Sequence, residues 1–121
     1  MKKLKTYCFD IDNTICVTKG INYSTAKPIK EIIKLINQLY KDGHKIIFFT
    51  ARFMGRNGDN VKKAHKQGYK FTFKQLNKWK IKFHKLIMGK PSFDLLIDDK
   101  SLGYEKNWYK KLKNKKNLHL R

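Results

Sequence analysis

The sequence predicts an α/β fold: a small parallel β-sheet with helices packed on it. Three observations carry that prediction. Short runs rich in β-branched and aromatic residues alternate with a strongly amphipathic helical stretch and with polar segments. The second run, residues 46–50, is continuously apolar and follows a helix, as a parallel strand covered on both faces does. Acids, a threonine and a lysine stand at the C-terminal ends of the runs, where open parallel sheets bind their ligands.

Taken in order, residues 4–11 (LKTYCFDI) read as a buried strand that ends in acids, and residues 13–27 read as a loop. Pro28 then opens a helix, at the position where its missing N–H costs least. Ile29, Ile32, Ile33, Ile36, Leu39 and Tyr40 recur on one helical face as core, and Gly43 after Asp42 ends the helix. Residues 46–50 (IIFFT) form the second strand, so the chain opens strand–loop–helix–strand, a right-handed crossover. Residues 52–68, with Gly55, Gly58 and Gly68, read as a long loop or a loop with a short helix. Thr72 is expected to N-cap a helix that carries Phe73, Leu76 and Trp79. Residues 86–88 make a third strand, and residues 93–97 a fourth that ends in Asp98 and Asp99. A last helix over 104–112 would pack Trp108 and Leu112 on the sheet, and the basic tail from about 113 is expected to fray.

The 121 residues suit one domain over 1–121. No apolar run reaches the roughly 20 residues of a membrane helix, and residues 1–4 lead into a strand without a secretory signal. The expectation is a cytoplasmic protein with no membrane partner. Cys8 and Cys16 are not spaced as a metal site and are expected to be reduced, buried small hydrophobes. The formal net charge of +20 would suit nucleic acid. Arg52, Arg56 and Arg121 are the only arginines, however, and Asn, Ile, Phe and Tyr are frequent. That lysine-rich mix follows A/T-rich codons, so nucleic acid is the less favoured partner.

The strand ends collect the chemistry. Asp10, Asp12, Asp98 and Asp99 would repel one another unless a cation neutralised them. An all-oxygen, carboxylate-rich set favours a hard ion, Mg²⁺ first. Thr50 and Lys90 add a hydroxyl and an ammonium suited to phosphate oxygens. Asp10 and Asp12, two apart at a strand end, point the same way. One can attack phosphorus while the other moves the leaving group's proton.

These residues carry a resemblance. Residues 9–15 (FDIDNTI) resemble the DxDxT first motif of the haloacid dehalogenase-like hydrolases. Residues 48–52 (FFTAR) resemble their second motif, 89–91 (GKP) their third, and 95–100 (LLIDDK) their acidic fourth. The resemblance covers about residues 4 to 104. It implies a Rossmann-like sheet flanked by helices, with Asp10 as nucleophile and metal ligand. Asp12 would be the general acid–base, giving its backbone carbonyl to the metal. Thr50 and Lys90 would hold the phosphate, with backbone N–H groups of Ile11, Asp12 and Ala51 reaching it, and Asp98 would bind Mg²⁺ with Asp99 assisting. Asp12 favours phosphatase over dehalogenase chemistry. The spacings from Asp12 to Thr50 and from Thr50 to Lys90 leave room for a flap but for no cap domain, so a second copy of the chain could cover the open site. Residues 76–100, with Thr50, Ala51 and Arg52, look like short hydrolases of capsule or surface-polysaccharide biosynthesis, which implies a small sugar or polyol phosphate as substrate.

Two other readings stand beside this one. One is a nucleic-acid end-processing phosphatase. The other is a non-catalytic anion-binding protein, which the intact set of six motif residues argues against. Arg52 is either a bidentate anion contact or the partner of a nearby acid. Arg56, with Asn57, Asp59 and Asn60, either selects substrate or is merely solvated. His44 and His84 are expected to be structural, His65 to be a weak candidate for substrate contact, and Trp79 and Trp108 to be core or interface.

Overall fold

The computed structural model describes residues 3–117. It contains β1 (Thr6–Phe9), β2 (Cys16–Lys19), β3 (Asn22–Pro28), α1 (Lys30–Lys41), β4 (Lys45–Thr50), α2 (Val61–Lys78), β5 (Lys85–Met88) and α3 (Trp108–Asn117). The chain forms two units, one spanning Leu4–Ser92 and the other running on from Phe93.

The first unit is built on a parallel sheet in the order β1-β4-β5. Phe9 is level with Phe48, and Thr50 with Met88. Because the strands are in step, the residues that follow them (Asp10, Ala51 and Gly89) leave the sheet along one edge. β4 is central and its side chains alternate, with Ile46, Phe48 and Thr50 buried. Phe9, Leu86 and Met88 from the neighbouring strands are buried too. α1 buries Ile32, Leu35, Ile36 and Leu39; of the face expected of it, Ile33 and Tyr40 are only half-buried and Ile29 precedes the helix. Burying side chains of this size is worth about 1.5–3 kcal/mol each, so the stripe holds the helix in place. Gly43, at φ +98, follows the C-cap Asp42.

Four expectations are corrected here. Residues 13–27 are not simply a loop: β2 and β3 form an antiparallel hairpin around Gly20. Pro28 is the last residue of β3 and not the opening of α1, whose N-cap is Ile29. The second long helix starts at Val61, capped by the Asn60 side chain, which accepts the Lys63 N–H at 3.0 Å. Thr72 therefore lies mid-helix and buried rather than at a cap. Gly68 conceals this start, because a glycine reads as a helix breaker. It is required by packing: a Cβ there would stand 2.2 Å from the Phe53 ring. Lastly, Cys8 is exposed, and only Cys16 is buried.

In the second unit the expected fourth strand does not form. Residues 93–97 have no strand pairing, and Leu95 and Ile97 are 76% and 88% exposed. A short apolar run is a strand only when a ladder satisfies its N–H and C=O groups. Asp98 instead organises a turn, accepting the Lys100 N–H at 3.0 Å while its carbonyl accepts the Ser101 hydroxyl at 2.8 Å. The last helix runs from Trp108, which is buried, to Asn117. It begins later than expected and continues past Lys113; the rest of the expected frayed tail, 118–121, lies outside the described residues. Among the described residues no helix is long and apolar enough to cross a membrane.

Candidate functional site

Asp10 follows β1 directly, where the chain turns. The Ile11 carbonyl accepts the N–H groups of Thr14 and Ile15 at 3.1 and 3.0 Å, and Asn13 takes a left-handed φ of +60. This tight loop brings the Thr14 hydroxyl to Asp10 Oδ2 at 3.4 Å. Lys90 reaches the other oxygen, its Nζ lying 3.7 Å from Asp10 Oδ1. Gly89 makes that possible. Its φ of +95 bends the chain after β5, and the Lys90 N–H then bonds the Thr50 carbonyl at 3.1 Å. A Cβ at Gly89 would also press within 2.7 Å of Val61.

The Asp10 side chain is 37% exposed. Burial of the rest pushes its carboxyl above the ordinary aspartate value, and the Asp12 charge adds to this. The Lys90 ammonium, the Ile11 N–H and the Thr14 hydroxyl act in the other direction without cancelling it.

Asp12 is held very differently. Arg52 grips it with a planar fork, Nε to Oδ2 at 2.9 Å and Nη2 to Oδ1 at 2.8 Å. The Thr18 hydroxyl of β2 donates to Oδ1 at 2.6 Å. The Arg52 side chain is fully buried. Its Nη1 donates to Gln75 Oε1 of α2 at 2.7 Å, and the Gln75 amide donates to the Tyr23 carbonyl of β3 at 2.7 Å. The Tyr23 ring lies 4.8 Å beneath the guanidinium. Of the two readings of Arg52, the ion pair with a nearby acid is the one found. A buried guanidinium with all its nitrogens engaged is not open to a substrate anion.

A carboxylate has about four lone-pair positions. Oδ1 of Asp12 serves Arg52 and Thr18, with the Cys16 thiol at 3.9 Å, while Oδ2 accepts one bond. Oδ2 is therefore the oxygen with capacity left to carry a proton.

Thr50 is buried, and its hydroxyl oxygen accepts the Arg52 N–H at 3.1 Å. This bond ties the turn after β4 and leaves the hydroxyl's own proton to donate. Ile11 is fully buried, and the Ala51 carbonyl accepts the Met54 N–H at 3.0 Å. The loop beyond is ordered rather than merely solvated. Arg56 lies 4.4 Å over the Phe53 ring, the Asn57 amide donates to the Phe53 carbonyl at 2.8 Å, and Asp59 accepts the Ser92 hydroxyl at 3.1 Å. His44 is buried and accepts the Lys5 N–H at 3.0 Å. His84 accepts the Ile46 N–H at 3.0 Å. Both are structural.

For a cation, Asp10 is the more open carboxylate of the Leu4–Ser92 unit's site; the Asp12 side chain is held by Arg52, and the metal role expected of Asp12 is that of its backbone carbonyl. Among the described residues no three His, Cys, Asp or Glu side chains gather as a metal set. Mg²⁺ commonly takes one or two carboxylates and fills its shell with water and substrate phosphate, and the donor chemistry at Asp10 fits that habit. Asp98 and Asp99 belong to the second unit. Asp98 is exposed, with its carboxyl held below the ordinary value, first by the Lys100 N–H and then by hydrogen bonding with Asp99.

Thr14, Thr18, Tyr23 and Gln75 were not among the site residues expected from the sequence. Thr14 stands inside the DxDxT pattern, which was signal enough. Nothing local marks Gln75, 23 residues from the arginine it braces.

The fold class is thus a small Rossmann-like α/β fold. No protein-family model matches the chain, and no curated protein matches it. Among solved structures it is similar to the crystal structure of a target protein from Vibrio cholerae. That likeness has a TM-score of 0.76 and 20% identity, and it covers 93% of this chain and 99% of the other. It shows the fold.

Proposed function

We propose that this chain is a Mg²⁺-dependent phosphatase that hydrolyses a phosphate monoester through an aspartyl-phosphate on Asp10. One observation carries the reading: a solvent-accessible carboxylate at a parallel-sheet edge, with a hydroxyl at 3.4 Å and an ammonium at 3.7 Å, beside a second, braced carboxylate. A carboxylate nucleophile with donors and positive charge around it is what phosphoryl transfer needs, since that chemistry is mostly positioning and charge stabilisation.

In this reading an Asp10 oxygen attacks phosphorus as the bond to the leaving oxygen breaks. Asp12 supplies that oxygen's proton through Oδ2, then takes a proton from the water that cleaves the aspartyl-phosphate. Lys90 and Thr50 hold the phosphate oxygens, with backbone N–H groups at Ile11 and Ala51 alongside. Bound Mg²⁺ would add positive charge to the phosphate. Asp10 and the Asp12 backbone carbonyl would be its ligands in the first unit, and Asp98 and Asp99 are assigned to it on the sequence pattern alone. The substrate class follows from the resemblance: a small sugar or polyol phosphate used in making polysaccharide precursors. With no cap domain, a second copy of the chain would close the site.

The test is phosphate release by the purified protein from a broad panel of phosphate esters, with Mg²⁺ and with EDTA. Release that needs Mg²⁺ and disappears in Asp10→Asn is expected. A silent panel, or an Asp10→Asn protein that still turns over, would end the proposal.

A further inference from the structure

α2 sorts its residues into rows four apart. Ala64, Gly68, Thr72 and Leu76 are buried and form the row that packs inward. On the far side Lys62, Lys66, Lys70, Lys74 and Lys78 form an unbroken exposed row. Beside it His65, Tyr69 and Phe73 stack in turn, with ring centroids 4.6 and 5.9 Å apart. His65 and Phe73 are exposed and Tyr69 is half-buried. The helix carries no acidic residue, and the ion pairs found among the described residues use none of its lysines.

Such a row works against the helix. Like charges four apart destabilise it by about 0.2–0.5 kcal/mol per pair, and nothing in the helix offsets that. A codon-biased genome accounts for many lysines. Amphipathic patterning then puts them on the side away from the buried row; neither accounts for a ridge without a single acid beside an exposed ring stack. Neighbouring lysines on a ridge stand about 5–6 Å apart, and the row runs about 24 Å at 1.5 Å per residue. That spacing is comparable to the phosphate step of an extended single strand, and the rings offer edges and apolar surface to bases. A basic track beside aromatic side chains is the recognition chemistry of single-stranded nucleic acid; because the three rings stack on one another, a base would meet the exposed His65 ring at the end of the stack and the ring edges.

We infer that the Lys62–Lys78 ridge of α2, with its His65–Tyr69–Phe73 stack, is a binding surface for single-stranded nucleic acid. The inference does not depend on the phosphatase reading, because its readout is binding.

The experiment is fluorescence anisotropy of the full chain with a labelled single-stranded oligonucleotide across a salt series. Its competitors are the matching duplex and inorganic polyphosphate. Three variants are compared: Lys66→Gln/Lys70→Gln/Lys74→Gln on the ridge, Lys30→Gln/Lys34→Gln/Lys41→Gln on α1 with the same loss of charge, and His65→Ala/Tyr69→Ala in the stack. The ridge variant is expected to lower the slope of log K against log salt by about 2, at about 0.7 per lost phosphate contact. The α1 variant should change it little. The stack variant should weaken binding by roughly tenfold, within the range for base–aromatic contacts, and single strand should outcompete duplex and polyphosphate. Equal losses in the α1 and ridge variants would overturn the inference, as a diffuse basic surface. So would an unchanged affinity in the stack variant, or duplex or polyphosphate competing as well as the single strand. Circular dichroism checks that the ridge variant folds, which removing like charges favours.

Discussion

The surroundings of Asp10 and of Asp12 differ sharply, although the two residues share one short motif. Asp10 has a hydroxyl at 3.4 Å and an ammonium at 3.7 Å, and more than a third of its side chain is open to solvent. Asp12 has partners at 2.6, 2.8 and 2.9 Å, and behind them a chain of bonds through Arg52 and Gln75 to Tyr23. One carboxylate is loosely attended and partly desolvated, with an oxygen open to solvent. The other is oriented by partners from several structural elements, which fixes the direction of its oxygens. The difference teaches that spacing puts two acids on one edge, while their neighbours decide what each can do.

The largest break in that contrast is Arg52→Ala. It strands Asp12 beside a buried void and leaves Gln75 without its donor. Removing one partner of a buried pair costs about 3–5 kcal/mol, and because Asp12 is 20% exposed a loss of about 3 kcal/mol is expected in urea unfolding. Arg52→Lys should recover only part of it, since an ammonium cannot reproduce the fork. A loss below about 1 kcal/mol would mean that the pair braces nothing, since that is the size of an exposed ion pair.

Gln75→Leu tests the outer brace. It leaves the Tyr23 carbonyl and Arg52 Nη1 unpaired, and about 1–2 kcal/mol should be lost. If the hairpin is tied to the site through this side chain, amide exchange should quicken in β2 and β3 before the rest of the sheet.

Lys90→Met is the matched change on the other side. The pair with Asp10 is long and partly exposed, so its effect on unfolding should stay below about 1 kcal/mol and shrink with salt. In the proposed reaction the same change should cut phosphate release severely, which separates a functional contact from a structural one.

The smallest effect concerns Asp10 itself. Its carboxyl is raised in the folded protein, chiefly by burial, so the folded state binds more protons than the unfolded one as pH climbs past the ordinary value of 3.8. Stability therefore falls as pH rises through that window and on to the folded value. Asp10→Asn escapes the penalty. It should melt slightly above the parent at neutral pH, and the gain should vanish below the ordinary aspartate value. A melting difference that stays constant with pH would show that burial of the charge is not its source.

Much of the fold could be read directly from the residues. The stripe through Ile32, Ile36 and Leu39 marked α1, and the runs over 46–50 and 86–88 marked two strands. The misreadings have different causes. Gly68 reads as a breaker and hides the start of α2, although it admits the Phe53 ring, and residues 13–27 carry too little periodicity to show the β2–β3 hairpin. The run at 93–97 is apolar enough for a strand but has no ladder to join. The site divides in the same way: Asp10, Asp12, Thr50 and Lys90 were identified by type and spacing, whereas the partnership of Arg52 with Asp12 was one of two readings and Gln75 was invisible.

The sequence by itself determined α1, the parallel strands β1, β4 and β5, and the place of Asp10 and Asp12 after the first of them, because periodicity and strand ends are properties of neighbouring residues; it misplaced Asp98 and Asp99, whose strand does not form. Only the tertiary structure decided which acid is gripped and which is left open, and which lysines line up. Those depend on strand register and helix rotation, which bring Arg52 to a carboxylate 40 residues away and turn one ridge of α2 toward solvent.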